Sequence, residues 1–132
     1  MIALGIGCRR DASADAIEAV VAQALTVARL STGEITVIAT AADKQDEPGI
    51  IETAKRLQRP LLGIAADELS AVADLTVTRS DRVQRLKGVP SVAETAALAA
   101  AGRNARLVLP RLAHASATCA IAEGEGPAEL MS

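Results

Sequence analysis

The 132-residue chain has a length typical of a single domain. Half of its residues are apolar, which excludes a disordered chain, and its net charge of −2 at pH 7 argues against general nucleic-acid binding. The sequence contains no Phe, Tyr or Trp, so it lacks the aromatic side chains on which single-stranded nucleic acids usually stack. No apolar run approaches the roughly 20 residues that span a bilayer, and no basic segment precedes the first apolar run as in a signal peptide. We therefore expect the protein in the cytoplasm.

In the first half of the chain, short apolar or β-branched runs alternate with helical patterns. The first helix has Ser13 or Asp11 as its expected N-cap, and Pro48 is placed to open the second helix because its missing N–H is not needed there. Strands that alternate with helices favour parallel βαβ units. The predicted strands lie at about residues 2–6, 34–40 and 61–64, and the predicted helices at 13–29, 48–58 and 65–71.

The middle of the chain is harder to interpret, and a clear helix signal follows it. Residues 72–87 fit a strand or a loop followed by a short basic helix that ends at Gly88. Ser91 and Glu94 then have the spacing of a capping box, in which each side chain bonds the backbone N–H of the other residue. We predict an alanine-rich helix that starts there and stops at Gly102.

The C-terminal part predicts an antiparallel hairpin. Two strands are expected at residues 105–109 and 117–122, joined by a loop over residues 110–116. The fold class is therefore α/β: a single domain over residues 1–122, with a mixed, mostly parallel sheet of about five strands flanked by helices. Residues 123–132 are expected to form a flexible tail.

The N-terminal segment carries the first candidate binding loop. Gly5 and Gly7 are predicted to form a turn between strand and helix, where open α/β sheets hold anionic ligands. Arg9 and Arg10 strengthen this interpretation because guanidinium groups donate paired hydrogen bonds to carboxylates and phosphates. Arg10 stands where the dinucleotide fingerprint requires a third glycine, which argues against such a cofactor. A simple tight turn with solvated arginines explains the pattern about equally well.

A second candidate loop follows the second predicted strand. In a parallel sheet it lies at the same carboxyl edge as the first, so Lys44 is placed to join the two arginines around an anion. Asp46 or Glu47 fits a general acid or base, but helix capping is the simpler interpretation for both. Gly49 follows Pro48 at the start of the helix.

The two cysteines suggest little catalytic chemistry. Cys8, beside a helix start and two cations, is expected to have a lowered thiol pKa, but the single histidine, His114, is distant in sequence and the support for a nucleophile is weak. Cys119 fits a core residue. We expect no metal site, because the chain has one histidine and no C-x-x-C motif.

Three segments in this order resemble a known family. The motifs GIGCRR, DKQDEPG and GVPSVAETAAL are similar to those of the CobE / CbiG C-terminal domain family of cobalamin (vitamin B12) biosynthesis, over residues 2–122. Thr95 replaces the usual alanine, and the segment RLAHASAT lacks a lysine often found in that loop. Because the match starts at residue 2, the resemblance implies the stand-alone form, which belongs to the aerobic pathway, rather than the longer lactone-opening proteins.

The resemblance implies binding of a precorrin-type tetrapyrrole as an accessory or carrier, with other pathway enzymes as further partners and no cofactor. Carboxylates of the tetrapyrrole would contact Arg9, Arg10 and Lys44. The donor loops would be shaped by Gly5, Gly7, Gly49 and Ser91. One alternative is a hydrolase that opens the lactone of a precorrin-5-type intermediate, with Cys8 or Glu47 as its catalytic residue. Another is a scaffold for pathway enzymes.

Overall fold

The structure is a computed structural model, and it describes residues 1–75 and 91–126. A five-stranded sheet lies between two layers of helices. The strands are β1 (Ile2–Cys8), β2 (Val37–Ala41), β3 (Leu61–Ile64), β4 (Arg106–His114) and β5 (Ala117–Glu123). The helices are α1 (Ala14–Ala28), α2 (Pro48–Leu57), α3 (Ala66–Ala71) and α4 (Val92–Ala101), and 3-10 turns occupy Thr32–Glu34, Ala42–Lys44 and Ala73–Leu75.

The strand order is β3-β2-β1-β5-β4, which confirms the predicted α/β class with a mixed sheet. The first three strands are parallel to one another, as βαβ connections require. β5 pairs antiparallel with β1, and β4 pairs antiparallel with β5, so the C-terminal hairpin extends the sheet on one side.

The two faces of the sheet have different packing. On one face, α1 and α2 cover large aliphatic side chains of the strands, including Leu4, Ile6 and Ile38. On the other face, α4 and α3 lie on small side chains such as Ala3 and Ala39. Because alanines lie on both sides of the interface between α4 and the sheet, the backbone of α4 can lie close to the strands.

Local helix signals were predicted correctly. The Ser13 hydroxyl accepts the Ala16 N–H at 3.1 Å and caps α1, so Ser13 rather than Asp11 is the N-cap. Pro48 is the first residue of α2. The Ser91 hydroxyl accepts the Glu94 N–H at 3.3 Å and caps α4, which is one half of the predicted capping box, whereas the Glu94 carboxylate accepts the Arg111 N–H of β4.

The predicted glycine turn is wrong, although the strand predicted over residues 2–6 already included Gly5. Gly5 and Gly7 lie inside β1, in register with Ala120 and Thr118 of β5. β1 continues to Cys8 because β5 offers a backbone partner to each of its seven residues. The turn that was expected at the glycines instead begins at Arg9.

Two other boundaries differ from the prediction. Glu34 lies in a 3-10 turn whose capping box is formed with Ser31, and β2 begins only at Val37. The expected loop over residues 110–116 is mostly strand, since β4 continues to His114 with two irregularities in its pairing. Pro110 is tolerated there because β4 is an edge strand, where a missing N–H leaves no neighbour unpaired.

The remaining predictions fall partly outside the described residues. Residues 72–75 complete the end of α3 and a 3-10 turn, whereas most of the ambiguous segment and the basic helix ending at Gly88 are not described. Hydrogen bonds continue four residues past 122, since Gly124 N–H donates to Met1 and Gly126 N–H to Ala101. Residues 127–132 of the expected tail lie outside the described part.

Candidate functional site

The loop after β1 is packed directly against the start of α2. The Glu47 carboxylate accepts the Asp11 backbone N–H at 3.0 Å. Gly49 lies so near the loop that a Cβ atom on it would be 2.2 Å from the Ala12 carbonyl oxygen. These two contacts hold the arginine-bearing loop and the N-terminus of α2 together at the carboxyl edge of the parallel strands.

The N-terminus of α4 reaches the same edge from the opposite face of the sheet. A Cβ atom on Gly7 would be 3.8 Å from the Ala93 nitrogen and 3.9 Å from Val92 Cβ. A Cβ atom on Gly5 would be only 2.0 Å from the Ala93 carbonyl oxygen. The three motif-bearing segments therefore meet at one edge, with the N–H-rich ends of α1, α2 and α4 around it.

Three cationic side chains at this edge have no partner within the described part of the chain. Arg9 and Arg10 are exposed and Lys44 is half-buried, and none of the three makes a side-chain hydrogen bond or ion pair there. The Arg9 backbone is fixed, because its N–H donates to Ser116 at 2.9 Å. Asp11 has a φ of 62°, which turns the chain sharply toward α1. The loop is therefore anchored while its guanidinium groups can engage an anion.

The edge also carries carboxylates. Asp11, Asp43 and Asp46 are exposed, and Glu47 is half-buried. The surface is thus mixed in charge rather than uniformly positive. An anion at this edge would have to make individual contacts to the arginines and the lysine.

The expected lowering of the Cys8 pKa is wrong. Burial raises the pKa of this half-buried thiol, Lys44 lowers it by a smaller amount, and Glu47 raises it further. The adjacent arginines do not reverse the effect because their side chains extend into solvent. Nor does His114 form a pair with Cys8: Ala117 of β5 stands between them in the sheet register. Cys119 is buried in the core, as predicted.

Glu47 was considered as a helix cap or as a general acid or base, and its observed hydrogen bond fits neither role. It occupies the N-cap position of α2, but its side chain makes no capping hydrogen bond. The carboxylate instead binds Asp11 across 36 residues of sequence, a contact that no local motif signals. This engagement argues against a free general acid or base.

Sequence reasoning missed two features of the site. Glu94 was treated only as part of a cap, yet it is fully buried and its carboxylate accepts the Arg111 backbone N–H of β4 at 2.9 Å. A pocket of about 240 Å³ between α3 and α4 was not predicted either, because most of its described lining residues are alanines or other aliphatic residues that lie outside the motifs. A groove of about 320 Å³ at the far end of α2 lies away from this edge.

Within the described ranges 1–75 and 91–126, no group of three or more His, Cys, Asp or Glu side chains is placed to hold a metal ion. In the same part of the chain, no helix has the length and apolar character needed to cross a membrane.

Comparison with known proteins identifies the family. Residues 2–122 match the family described as "Cobalamin synthesis G C-terminus". Protein CobE from Sinorhizobium sp is 34% identical over 129 residues, which cover 98% of this chain and 82% of that protein. The crystal structure of a CobE protein superposes with a TM-score of 0.87 at 33% identity, covering 96% of this chain and 92% of the other.

Longer relatives share only this part. A probable cobalt-precorrin-5A hydrolase of Methanocaldococcus jannaschii is 26% identical over 92% of this chain, which spans 40% of that protein. The cobalt-precorrin-5A hydrolase of Priestia megaterium is 29% identical over 77% of this chain and 27% of its own length. The chain belongs to the Cobalamin synthesis G C-terminus family, and its function lies in cobalamin biosynthesis.

Proposed function

We propose that the protein binds a precorrin-type tetrapyrrole at the carboxyl edge of β1 and β2, as an accessory or carrier component of cobalamin biosynthesis. The observation that carries this proposal is the group formed by Arg9, Arg10 and Lys44, three cations without a described partner beside three helix N-termini. Precorrins carry many acetate and propionate carboxylates around a flexible ring. Such a ligand matches several separated cationic and N–H donors.

The fixed backbone of the loop strengthens the proposal. Glu47 and Ser116 hold the loop on either side, so little backbone ordering has to accompany binding. A guanidinium group can then meet a carboxylate in a bidentate contact, which is stronger than a neutral hydrogen bond.

The hydrolase alternative has less support. It needs Cys8 as a nucleophile or Glu47 as an acid or base, but the thiol has a raised pKa and the Glu47 carboxylate is already engaged. A scaffold for pathway enzymes would be favoured by co-purification with a methyltransferase of the pathway in the absence of ligand binding.

Spectroscopic titration with the ordered set of precorrins tests the proposal. The protein has no aromatic residues, so changes in the near-UV and visible spectrum come from the tetrapyrrole. We expect one intermediate to bind, and expect Arg9→Ala and Lys44→Ala each to weaken it about tenfold, the loss of one charge-assisted contact. Arg103→Ala is the control, since Arg103 is exposed and follows the opposite end of α4. If no intermediate binds, and a variant that combines Arg9→Ala with Lys44→Ala leaves cobalamin production intact, the proposal is wrong.

A further inference from the structure

We propose that the pocket between α3 and α4 is an apolar subsite that takes one ring of the tetrapyrrole, while carboxylates of the other rings contact Arg9, Arg10 and Lys44. This inference rests on the proposed function and divides its binding surface into two parts. One part is cationic and recognises acidic side chains. The other is aliphatic and recognises the body of a ring.

Six of the seven described residues that line the pocket are aliphatic, and most of its surface is apolar. Its volume is about 240 Å³, below the roughly 300–1,000 Å³ of pockets that enclose a drug-sized ligand. Four linked rings cannot enter such a space, but one ring with its small substituents can. The lining residues are Ala41, Ala42, Asp43, Ile64, Ala66, Leu69 and Val92.

The pocket is continuous with the cationic part of the site. Asp43 in its wall is followed directly by Lys44, in the same 3-10 turn. Val92, on the opposite wall, follows the N-cap of α4 and lies beside Gly7 near the end of β1. The pocket therefore adjoins Lys44 and the end of β1, so a single extended ligand can contact both parts.

The chemistry of the walls sets the orientation of the ligand. Asp43 is the one charged residue among the seven described lining residues. The other six lining residues are aliphatic and favour methyl groups and ring carbons, whose burial removes apolar surface from water. The acidic substituents are thereby directed toward the arginines.

Substitution of Ala66 tests this subsite. Ala66 lines the pocket but is exposed at the first position of α3, so Ala66→Phe fills the space without entering the core. Ala71→Phe is the matched control, because Ala71 is exposed on the same helix and does not line the pocket. The probe is cobyrinic acid, a corrin whose peripheral side chains end in carboxylates, followed by its visible absorbance.

We expect Ala66→Phe to raise the Kd at least about tenfold, which corresponds to about 1.4 kcal/mol, and Ala71→Phe to leave it within about twofold. The thermal midpoint of unfolding should be the same for both variants. Ala42→Leu fills the pocket from its other wall and should reproduce the loss. Binding by Ala66→Phe should also stay as sensitive to salt as in the wild type, because the cations are untouched.

The outcomes separate the two proposals. If the wild type binds neither cobyrinic acid nor any precorrin, both proposals are overturned. If Arg9→Ala weakens binding while folded Ala66→Phe and Ala42→Leu bind like the wild type, only the apolar subsite is overturned. A loss shared equally by Ala71→Phe also overturns it, since that residue does not line the pocket.

Discussion

The thiol of Cys8 lies half-buried at the last position of β1, where its chemistry depends more on solvent exposure than on its neighbours in sequence. Two arginines follow it directly, yet burial raises its pKa and only Lys44, 36 residues later, lowers it appreciably. A sequence shows which charges are adjacent along the chain. It does not show which of them remain near a side chain once the chain has folded.

Alkylation measures the state of this thiol. Because a raised pKa leaves less thiolate at a given pH, we expect Cys8 to react with iodoacetamide more slowly than glutathione between about pH 7 and pH 9. Lys44→Ala should slow the reaction further, since the lysine charge favours the thiolate. Mass spectrometry of the labelled peptides gives the rate, with buried Cys119 as the internal unreactive reference. A Cys8 rate above that of glutathione would contradict the assignment.

Glu47 is a positioning residue in this structure, and two substitutions distinguish that role from catalysis. Glu47→Ala removes the acceptor of the Asp11 N–H and should weaken precorrin binding about tenfold, because the loop that carries the arginines loses an anchor. Glu47→Gln keeps an oxygen acceptor, so its Kd should stay within about threefold of the wild type. A general acid or base would differ in pathway flux rather than in binding: Glu47→Gln would then bind normally but abolish the flux, whereas the positioning role leaves its flux close to that of the wild type.

The contact between β1 and α4 depends on the absence of a side chain at Gly5. A Cβ atom there would lie 2.0 Å from the Ala93 carbonyl oxygen and 2.8 Å from the Ala97 nitrogen, both of them backbone atoms. Gly5 was predicted to shape an anion-binding turn. The structure shows instead that a glycine is needed there because the backbone of α4 packs against it. The same packing brings the N-terminus of α4 to the candidate site.

We expect Gly5→Ala to lower the free energy of unfolding by about 1–3 kcal/mol or more, because α4 has to move away from the sheet. Urea denaturation followed by far-UV circular dichroism measures the loss. Gly33→Ala is the control, since the nearest atom to a Cβ on Gly33 is 3.9 Å away, and it should change stability by less than about 0.5 kcal/mol. Equal stabilities of the two variants would show that α4 does not approach β1 this closely.

Glu94 connects α4 to the edge strand β4. Its buried carboxylate accepts the Arg111 N–H at 2.9 Å, beside the irregular pairing around Pro110. Glu94→Ala leaves that N–H without its acceptor and should cost about 1–3 kcal/mol of stability, whereas Glu94→Gln keeps an acceptor and should cost less. Urea denaturation compares the two variants. A greater loss in Glu94→Gln than in Glu94→Ala would mean that the hydrogen bond is not what stabilises this position.

At the scale of the whole molecule, the features predicted correctly are those that short segments encode. The alternation of strands and helices, the Ser13 cap and the start of α2 at Pro48 all depend on residues close together in sequence. The errors involve partners far away: Gly7 belongs to a strand because β5 pairs with it from more than 100 residues later. The contact of Glu47 with Asp11 is of the same kind. The candidate site depends on such distant contacts, so its residues were predictable but their individual roles were not.

Electrostatics provides a test that involves the whole protein. The chain has a net charge of −2, so a polycarboxylate is not attracted by the overall charge; in the proposed function it is held by the local cations Arg9, Arg10 and Lys44. Raising salt from about 0.1 M to about 1 M shortens the screening length from about 10 Å to about 3 Å, and these side chains are at least partly exposed. We expect the Kd for cobyrinic acid to rise about tenfold or more over this range.

Cobinamide provides the matched ligand, because amides replace the peripheral carboxylates on the same type of ring. It should bind more weakly than cobyrinic acid at low salt, and its Kd should change little with salt, since no ion pairs are screened. The triple variant Arg9→Ala, Arg10→Ala, Lys44→Ala should give cobyrinic acid the same weak, salt-insensitive binding. Equal affinities for the two corrins in the wild type would mean that the carboxylates are not recognised and that apolar contacts alone hold the ligand. In that case the ligand would contact the pocket between α3 and α4 but not the cations. The comparison of the two corrins, measured over the salt series, therefore separates the contributions of the two parts of the binding surface.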